Sequence, residues 1–440
     1  MLLLILPHQL YEWKHLKPHK PTNIVIWEHP QYFTKYRYNK KRLLLHRASM
    51  KYYHDYLNTL SQTSKMTITY VNYNSTPKLP KTYQVFDPID NIKLPNTPQF
   101  LPSPNFLLAK EQYETYRQTK TTKFFFNTFY NYSKSLLNIL PNIKSQDKDN
   151  RNKLPKDIKL PKTPPKLRTI DINYVSQAAL YISSNFPKNY GVTDAFQYPV
   201  THKTAKAWLN NFITHRLPNF GTYQDAIAKD ENYLFHSVLS SSINIGLLNP
   251  IDVINAALKA KNIPLNSKEG FIRQLFWREY QRFCYIYAKT QLKTQNYFNN
   301  NKTLTTNWYK GTTNIAPVDD CIKKAFDTGY LHHIERLMIM GNFMNLSQIC
   351  PTEGFKWFME FSCDSYEWVM YQNVYDMVFF TTGGLTMRRP YVSSSNYILK
   401  MSNYSSKEEW VPMWNKLYQD FIRRNKKKLH KFRYYFRLKN

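Results

Sequence analysis

Over the first 130 residues, short apolar runs alternate with helical patterns. Residues 1–6 and 23–27 are dominated by apolar side chains over a strand's length, as strands covered on both faces would be. Residues 41–60 instead place Leu44, Ala48, Tyr52 and Tyr56 at helical spacing. Residues 67–72 and 83–87 read as two further strands. Strand–helix–strand alternation predicts a Rossmann-like, doubly wound parallel sheet. Pro-rich stretches at 77–80 and 95–104 read as loops or extended connections.

The pattern changes twice after that. Residues 142–168, inside a linker expected over 131–168, carry nine Lys or Arg, four Pro and few apolar side chains. Such a stretch is expected on the surface, solvated or following a phosphate backbone. From 169 to 421 the periodicity is helical with almost no strand signal, clearest at 204–215, 250–261, 268–290, 319–340 and 353–361. Residues 422–440 form a basic tail, with nine Lys or Arg and no acid from 423 onward. It reads either as a disordered arm or as a helix with Phe432, Tyr435 and Phe436 packed down.

Composition sharpens this picture. A chain of 440 residues exceeds what one core usually serves, so an α/β domain followed by an all-α domain is the natural division. Lys and Arg number 61 against 30 Asp and Glu, a formal charge of +31. An AT-rich coding bias would raise Lys and Asn together, but it does not explain so few acids. The excess points to a polyanion, most simply nucleic acid. The four cysteines, Cys284, Cys321, Cys350 and Cys363, contain no Cys-x-x-Cys pair and suggest a reducing compartment. The apolar start meets Pro7 after six residues, too short for a signal core or a membrane span. An intracellular, soluble chain with no membrane partner is expected.

Standard catalytic signatures are missing. There is no Walker-type loop, no His-Glu-x-x-His and no Gly-x-Ser-x-Gly, and ten glycines leave little room for a phosphate-cradling loop. Polar and aromatic side chains crowd three helical segments instead. Residues 233–248 carry His236, Ser237 and Ser240, whose hydroxyls at a helix start suit a phosphate, or simply cap the helix. Residues 271–280 bring Arg273, Trp277 and Arg278, fit to pack on a flat ring or to pair within a buried helix. Residues 331–343 hold adjacent His332 and His333, which a continuous helix would point to different faces.

These segments together resemble one family. His-Ser-Val-Leu-Ser at 236–240, Phe-Ile-Arg-Gln-x-x-Trp-Arg-Glu-Tyr at 271–280 and His-His-Ile-Glu-Arg-Leu-Met at 332–338 come in order. Tyr-Glu-Trp-Val at 366–369, Gly-Gly-Leu at 383–385 and Pro-Tyr-x-x-Ser-x-Asn-Tyr-Ile at 390–398 follow. The set is similar to the deoxyribodipyrimidine photolyase-related proteins, which include prokaryotic (6-4) photolyases and iron–sulfur bacterial cryptochromes. The resemblance implies an α/β antenna domain, a helical FAD-binding domain, and light-driven electron transfer to a pyrimidine lesion flipped out of UV-damaged duplex DNA. A monomer is expected.

It also implies roles. His236, Ser237, Leu239 and Ser240 match the flavin phosphate turn. Arg273, Trp277, Arg278, Arg336, Asn342, Asp364, Glu367, Met370 and Asn373 match other flavin positions, with Arg336 and Asp364 as an ion pair. His332 and His333 match the histidine pair beside the lesion, His333 as proton donor, and Tyr391 lines that pocket. Trp357 and Trp308 match the electron-transfer route, where the usual tyrosine after Trp357 is Phe358.

The sequence departs from the family twice. Only Cys321 of four cluster cysteines is retained, so no [4Fe–4S] cluster is expected, with Trp410, Trp414 and Tyr418 packing in its place. The lumazine antenna pattern Gly-Asp-Gln-Leu has lost Gly and Asp, which argues against an antenna, while Gln9 and Glu28 remain in its favour. Alternatives are a cryptochrome-like photoreceptor without repair and a basic nucleic-acid-binding protein without flavin. An intact histidine pair favours repair, and flavin absorbance separates the last reading from the other two.

Overall fold

The computed structural model describes residues 1–119, 122–161 and 164–438. Lys162 and Thr163 of the expected linker, and Lys439 and Asn440 of the expected tail, lie outside the described residues. The apolar runs become β1 (Leu2–Ile5), β2 (Asn23–Trp27), β3 (Thr67–Val71) and β4 (Thr82–Phe86), joined by β5 (Thr97–Leu101). All pair in parallel, in the order β3-β2-β1-β4-β5, with Leu3 opposite both Ile24 and Gln84.

Strand alternation explains why the central strands read as continuous apolar runs. Leu3, Ile5, Ile24 and Ile26 face the main core, while Leu4, Leu6, Val25 and Trp27 form a smaller cluster with Tyr83 and Val85 on the opposite face. β5 runs through the Pro-rich stretch expected to be loop or extended. It is an edge strand, where the missing N–H of Pro98 is tolerated. The β2-to-β3 crossover is the helix α1 (Lys40–Ser64), capped by the Asn39 side chain, which accepts from the Lys41 N–H at 2.8 Å.

The remainder is helical. The longest helix, Leu265–Thr294, lies through the middle of the main core, its buried face running from Phe271 to Leu292. Phe126–Leu136 crosses the expected boundary at 130 and packs on it, with the Phe126 ring 4.1 Å from Trp277.

One expected helix is broken. Residues 319–340 read as continuous, yet Ala316–Thr328 ends at Gly329 and a π-helix takes up at Glu335–Gly341. Gly329 has φ +70°, and a Cβ there would lie 2.5 Å from Cys363 Sγ. The turn therefore needs glycine both for its backbone and for the close approach of the 363 segment. π-turns of this kind concentrate at functional sites.

The linker is only partly a solvated strand. Asn150 is buried between Gly221 and Gly270, where Cβ atoms would stand 2.7 Å and 3.2 Å from its amide. Arg151 beside it is exposed and pairs with Asp147 at 2.5 Å and Asp225 at 3.5 Å. Of the two readings of the tail, the packed one holds over residues 422–438. Leu429 and Phe436 are buried, Phe432 meets Phe380 at 5.5 Å, and Tyr435 lies under Arg389 at 3.9 Å. No described helix is long and apolar enough to cross a membrane.

Candidate functional site

One polar network ties together residues from four separated stretches. Ser240 opens the short helix Ser240–Asn244 and donates its hydroxyl to Asp364 Oδ2 at 2.6 Å. Arg336, on the π-helix, grips the same carboxylate with both terminal nitrogens, at 3.0 and 3.3 Å. Ser362 also donates to it. Asn244 donates to the Asp364 carbonyl at 2.9 Å and accepts from Arg278 Nε at 3.1 Å. Burial pushes the Asp364 carboxyl up, but Arg336 and the two serine hydroxyls outweigh it, so it stays below its ordinary range. Burial holds the Arg278 guanidinium down to about 10, opposed by neighbouring Glu279. Arg278 also donates to the Asn105 carbonyl at 2.6 Å and lies 4.7 Å from the Trp368 ring.

Buried polar atoms without a protein hydrogen-bond partner collect along this network. They are the hydroxyls of Ser241 and Ser242, NH2 of Arg278 and Oδ1 of Asn105. Orphaned buried polar groups are rare in folded proteins, and those on residues within or bonded to this network suit a polar occupant.

The histidines are divided. Arg336 Nε donates to the Leu331 carbonyl at 2.7 Å, which fixes the start of the His332–His333 segment to the Asp364 network. His332 is buried and its ring stacks on His236, with centroids 4.5 Å apart and planes 10° apart. Its backbone N–H is capped by Glu335 at 3.0 Å, and Glu335 is held by Lys324 at 2.7 Å. Burial, with the nearby cations, drives the His332 pKa well below its ordinary value. His333 is exposed instead. The protein mass around it, and then Arg336, His236 and Arg151, also hold its imidazole below the usual value. Only His333 of the pair is open to a substrate.

Other expected residues stand off this network. Arg273 and Trp277 share the opposite face of their helix, Arg273 paired with Asp147 at 3.6 Å and both lying on Phe126. Beside them is an open polar cleft of about 620 Å³, lined by Tyr130, Lys134, Lys144 and Arg273 among others. Asn342 spends its amide on Ser393, donating to the hydroxyl at 3.0 Å and the carbonyl at 3.1 Å, close in sequence to half-buried Tyr391. Glu367 turns toward the sheet domain, bonded to Lys35 and 3.4 Å from the Tyr285 hydroxyl. Met370 is buried, and Asn373 donates to the Val369 carbonyl at 2.9 Å. Ser237 accepts weakly from the Leu239 N–H at 3.4 Å, with Leu239 itself buried.

Trp357 is fully buried and donates from its indole to the Trp308 carbonyl at 2.8 Å. Cys321 lines a space of about 10 Å³ with Asp320, Lys324, Glu335 and Tyr404, and no group of three or more potential metal ligands occurs among the described residues. Trp410 and Trp414 are buried nearby with rings 6.1 Å apart, and Tyr418 is half-buried. Sequence reasoning missed Asn244, Ser362, Lys324 and Glu335. Glu335 carried a signal, as an acid three residues after a helix start, but the expected continuous helix hid it.

A family model described as "Deoxyribodipyrimidine photo-lyase-related protein" matches residues 3–91 and 79–198. A (6-4) photolyase of Agrobacterium fabrum is 40% identical over 257 residues, 56% of this chain and 51% of its own. The chain thus matches about half the length of that curated relative. A bacterial class III photolyase from Agrobacterium tumefaciens shares the fold at TM-score 0.55 and 15% identity, over 97% of this chain and 91% of its own. A cryptochrome of Synechocystis sp. PCC6803 does so at TM-score 0.56 and 15% identity, over 98% and 88%. The family match over residues 3–198, the identity to a (6-4) photolyase over about half its length and the shared two-part fold agree: this chain is similar to the deoxyribodipyrimidine photolyase-related proteins and has the photolyase and cryptochrome fold.

Proposed function

We propose that this protein is a light-driven, flavin-dependent DNA photolyase that reverts UV-induced pyrimidine dimers, (6-4) photoproducts above all. One observation carries the reading. The Arg336–Asp364 pair joins Ser240 and Asn244 on one side to Leu331, one residue before the histidine pair, on the other. A cofactor held at the first would lie beside a proton donor at the second.

The residues present fit FAD. The orphaned hydroxyls of Ser241 and Ser242 and the free nitrogen of Arg278 suit its phosphates and ribityl oxygens, and Asn105 offers an acceptor to its ring N–H groups. When bound, FAD supplies photochemical one-electron transfer. The chain's own residues do the rest. Asp364 holds Arg336 in place, and His333, whose imidazole is held below its usual value and so rests neutral, would have to take up a proton before passing one to the oxygen leaving one base for the other. The Lys324–Glu335 pair and the His236 stack anchor His332, so that His333 keeps a fixed position. Tyr391 closes the lesion side, and the +31 charge grips the phosphates of the damaged strand.

An antenna lumazine fits less well. Glu28 is fully buried, and its carboxylate is taken by Arg47 at 2.7 Å, Tyr70 at 2.6 Å and the Tyr73 N–H at 3.1 Å. Gln9 is likewise spent on the Leu6 N–H and the Phe86 carbonyl.

The test is an absorption spectrum of the protein after FAD reconstitution, then repair of a duplex carrying a single (6-4) photoproduct, in light and in darkness. Flavin uptake with light-dependent repair that His333→Ala abolishes supports the reading. Flavin uptake without repair makes the protein a photoreceptor, which the equal likeness to a cryptochrome keeps in view. Without flavin uptake the function reduces to nucleic-acid binding.

A further inference from the structure

The residue after Trp357 is Phe358, whose ring, among the aromatic rings of the described residues, meets only Trp357, at 5.2 Å, and Phe361, at 6.0 Å. Neither phenylalanine can be oxidised under physiological conditions, so that direction leads nowhere for a hole on Trp357. A different way out is built. The Trp357 ring lies 5.9 Å from Phe326, edge-on. Phe326 lies 5.8 Å from Tyr309 and 5.1 Å from Tyr190, and those two tyrosines stack at 4.8 Å. The Trp357 indole also bonds to the carbonyl of Trp308, the residue before Tyr309, giving a second connection through one hydrogen bond and one peptide.

Exposure rises along this line. Trp357 is 0% exposed, Phe326 8%, and Tyr309 and Tyr190 are both half-buried at the surface. The Tyr309 hydroxyl donates to Glu360 Oε2 at 2.8 Å. Glu360 is otherwise buried on the helix that carries Trp357, and burial, opposed by that hydrogen bond and by Lys356, raises its carboxyl above the ordinary range. A carboxylate of raised basicity on a phenol is what a tyrosine needs to lose an electron and a proton together. The other buried ring line, Trp308–Phe343–Trp414–Trp410–Tyr404, also ends in a tyrosine on an acid, Asp320 at 2.7 Å. It does not include the Trp357 ring.

We propose that Tyr309, with Glu360 as its proton acceptor, is the terminal electron donor of this protein's photoreduction route, in place of the tyrosine missing at position 358. The inference rests on the flavin reading above. Trp357 gives one electron to the photoexcited flavin. Tyr309 refills Trp357 across Phe326, and its phenolic proton passes to Glu360. The products are a flavin reduced by one electron, a neutral tyrosyl radical at Tyr309 and a protonated Glu360. An added thiol then restores the tyrosine by giving up one electron and one proton, and Glu360 releases its own proton to solvent.

The experiment uses the full chain reconstituted with FAD and illuminated with blue light, with a thiol for photoreduction and without one for electron paramagnetic resonance. Ring-deuterated tyrosine identifies a tyrosyl signal by its narrowing. Expected are a tyrosyl radical in the parent, its loss with a several-fold drop in photoreduction in Tyr309→Phe, and loss of both in Trp357→Phe. Glu360→Gln keeps an acceptor for the hydroxyl but not a base. It is expected to slow radical formation and to make it faster as pH rises, a signature that a structural role would not produce. Tyr404→Phe serves as the off-route control and is expected to behave as the parent does. Flavin bound with an unchanged signal in Tyr309→Phe overturns the relay alone, as does loss of the signal in Tyr404→Phe instead. Absence of flavin uptake overturns the relay and the proposed function together.

Discussion

Replacing Asp364 with alanine would remove the charge on which the site is assembled. The carboxylate accepts from Ser240 at 2.6 Å, from Arg336 at 3.0 and 3.3 Å, and from Ser362. The two side chains of the ion pair are only 15% and 13% exposed, so water cannot take the lost partner's place. Breaking a buried pair costs about 3–5 kcal/mol, against about 0–1 kcal/mol for an exposed one. The residual exposure puts Asp364→Ala near the lower end of the buried range, at about 3 kcal/mol. The Asp364→Ala/Arg336→Met double variant strands no charge, so it should cost less than the two single changes added, by about 1–3 kcal/mol. Urea unfolding midpoints of the four proteins, followed by tryptophan fluorescence at constant m, measure both quantities. The pH dependence gives a second arm. Asp364 is held below its ordinary pKa of 3.8, so its contribution is complete above that value and fades as acid protonates the folded state. The gap between parent and variant should therefore narrow toward low pH. A single-variant cost under about 0.5 kcal/mol, or strict additivity in the cycle, would refute the claim that this pair is buried and coupled.

Asp90 should behave in the opposite way. Burial and then Glu367 raise its carboxyl to about 7, so its ionisation weighs against the folded state increasingly as pH rises from 3.8 through 7. Asp90→Asn keeps an acceptor for the Trp368 N–H, and its urea midpoint should exceed the parent's at about pH 8, with the gap closing by about pH 4. Gly329→Ala forces a side chain into a left-handed backbone and against Cys363 Sγ. Backbone alone should cost about 1–2 kcal/mol and the clash more, seen as a lower urea midpoint. Truncation before Lys426 removes the ring cover on Phe380 and the Lys428 and Lys431 bonds to Tyr297 and Gly383. It should lower the melting temperature and flatten the salt dependence of binding to undamaged duplex DNA.

The sheet was legible because its strands are buried on both faces, so Met1–Leu6 and Asn23–Trp27 announce themselves as runs of Leu, Ile, Val and Trp. β5 was not, because an edge strand tolerates Pro98 and half of its residues face solvent, which gives the composition of a loop. The helix expected over 319–340 failed for a related reason. The apolar spacing continues through Tyr330 and Leu331, and only the positive φ of Gly329 and the approach of Cys363 break it. Neither is a periodic signal. The linker's Asn150 is similarly silent, since its burial depends on Gly221 and Gly270, which lie 71 and 120 residues further along the chain.

For the site, sequence order supplied the members and the Arg336–Asp364 pair, but not the rest of their grouping. Ser240, Arg278, Arg336 and Asp364 were all recognisable and do assemble, Ser240 at a helix start, Arg336 on a π-turn and Arg278 reaching Asn244 from the middle of the long helix. Arg273 and Trp277 were recognised with equal ease, yet they lie on a different face of the helix from Arg278. Five residues separate Arg273 from Arg278, a rotation of about 140° at 100° per residue, enough to send one to Phe126 and the other to Asn244. The adjacent histidines divide by the same arithmetic. Next neighbours near a helix start point about 100° apart, so a chain that buries His332 against His236 must turn His333 outward. The segment that looked like two equivalent histidines is therefore a buried anchor followed by an exposed ring, and on the proposed function His332→Ala should reduce repair by loosening His333, whereas His333→Ala should abolish it.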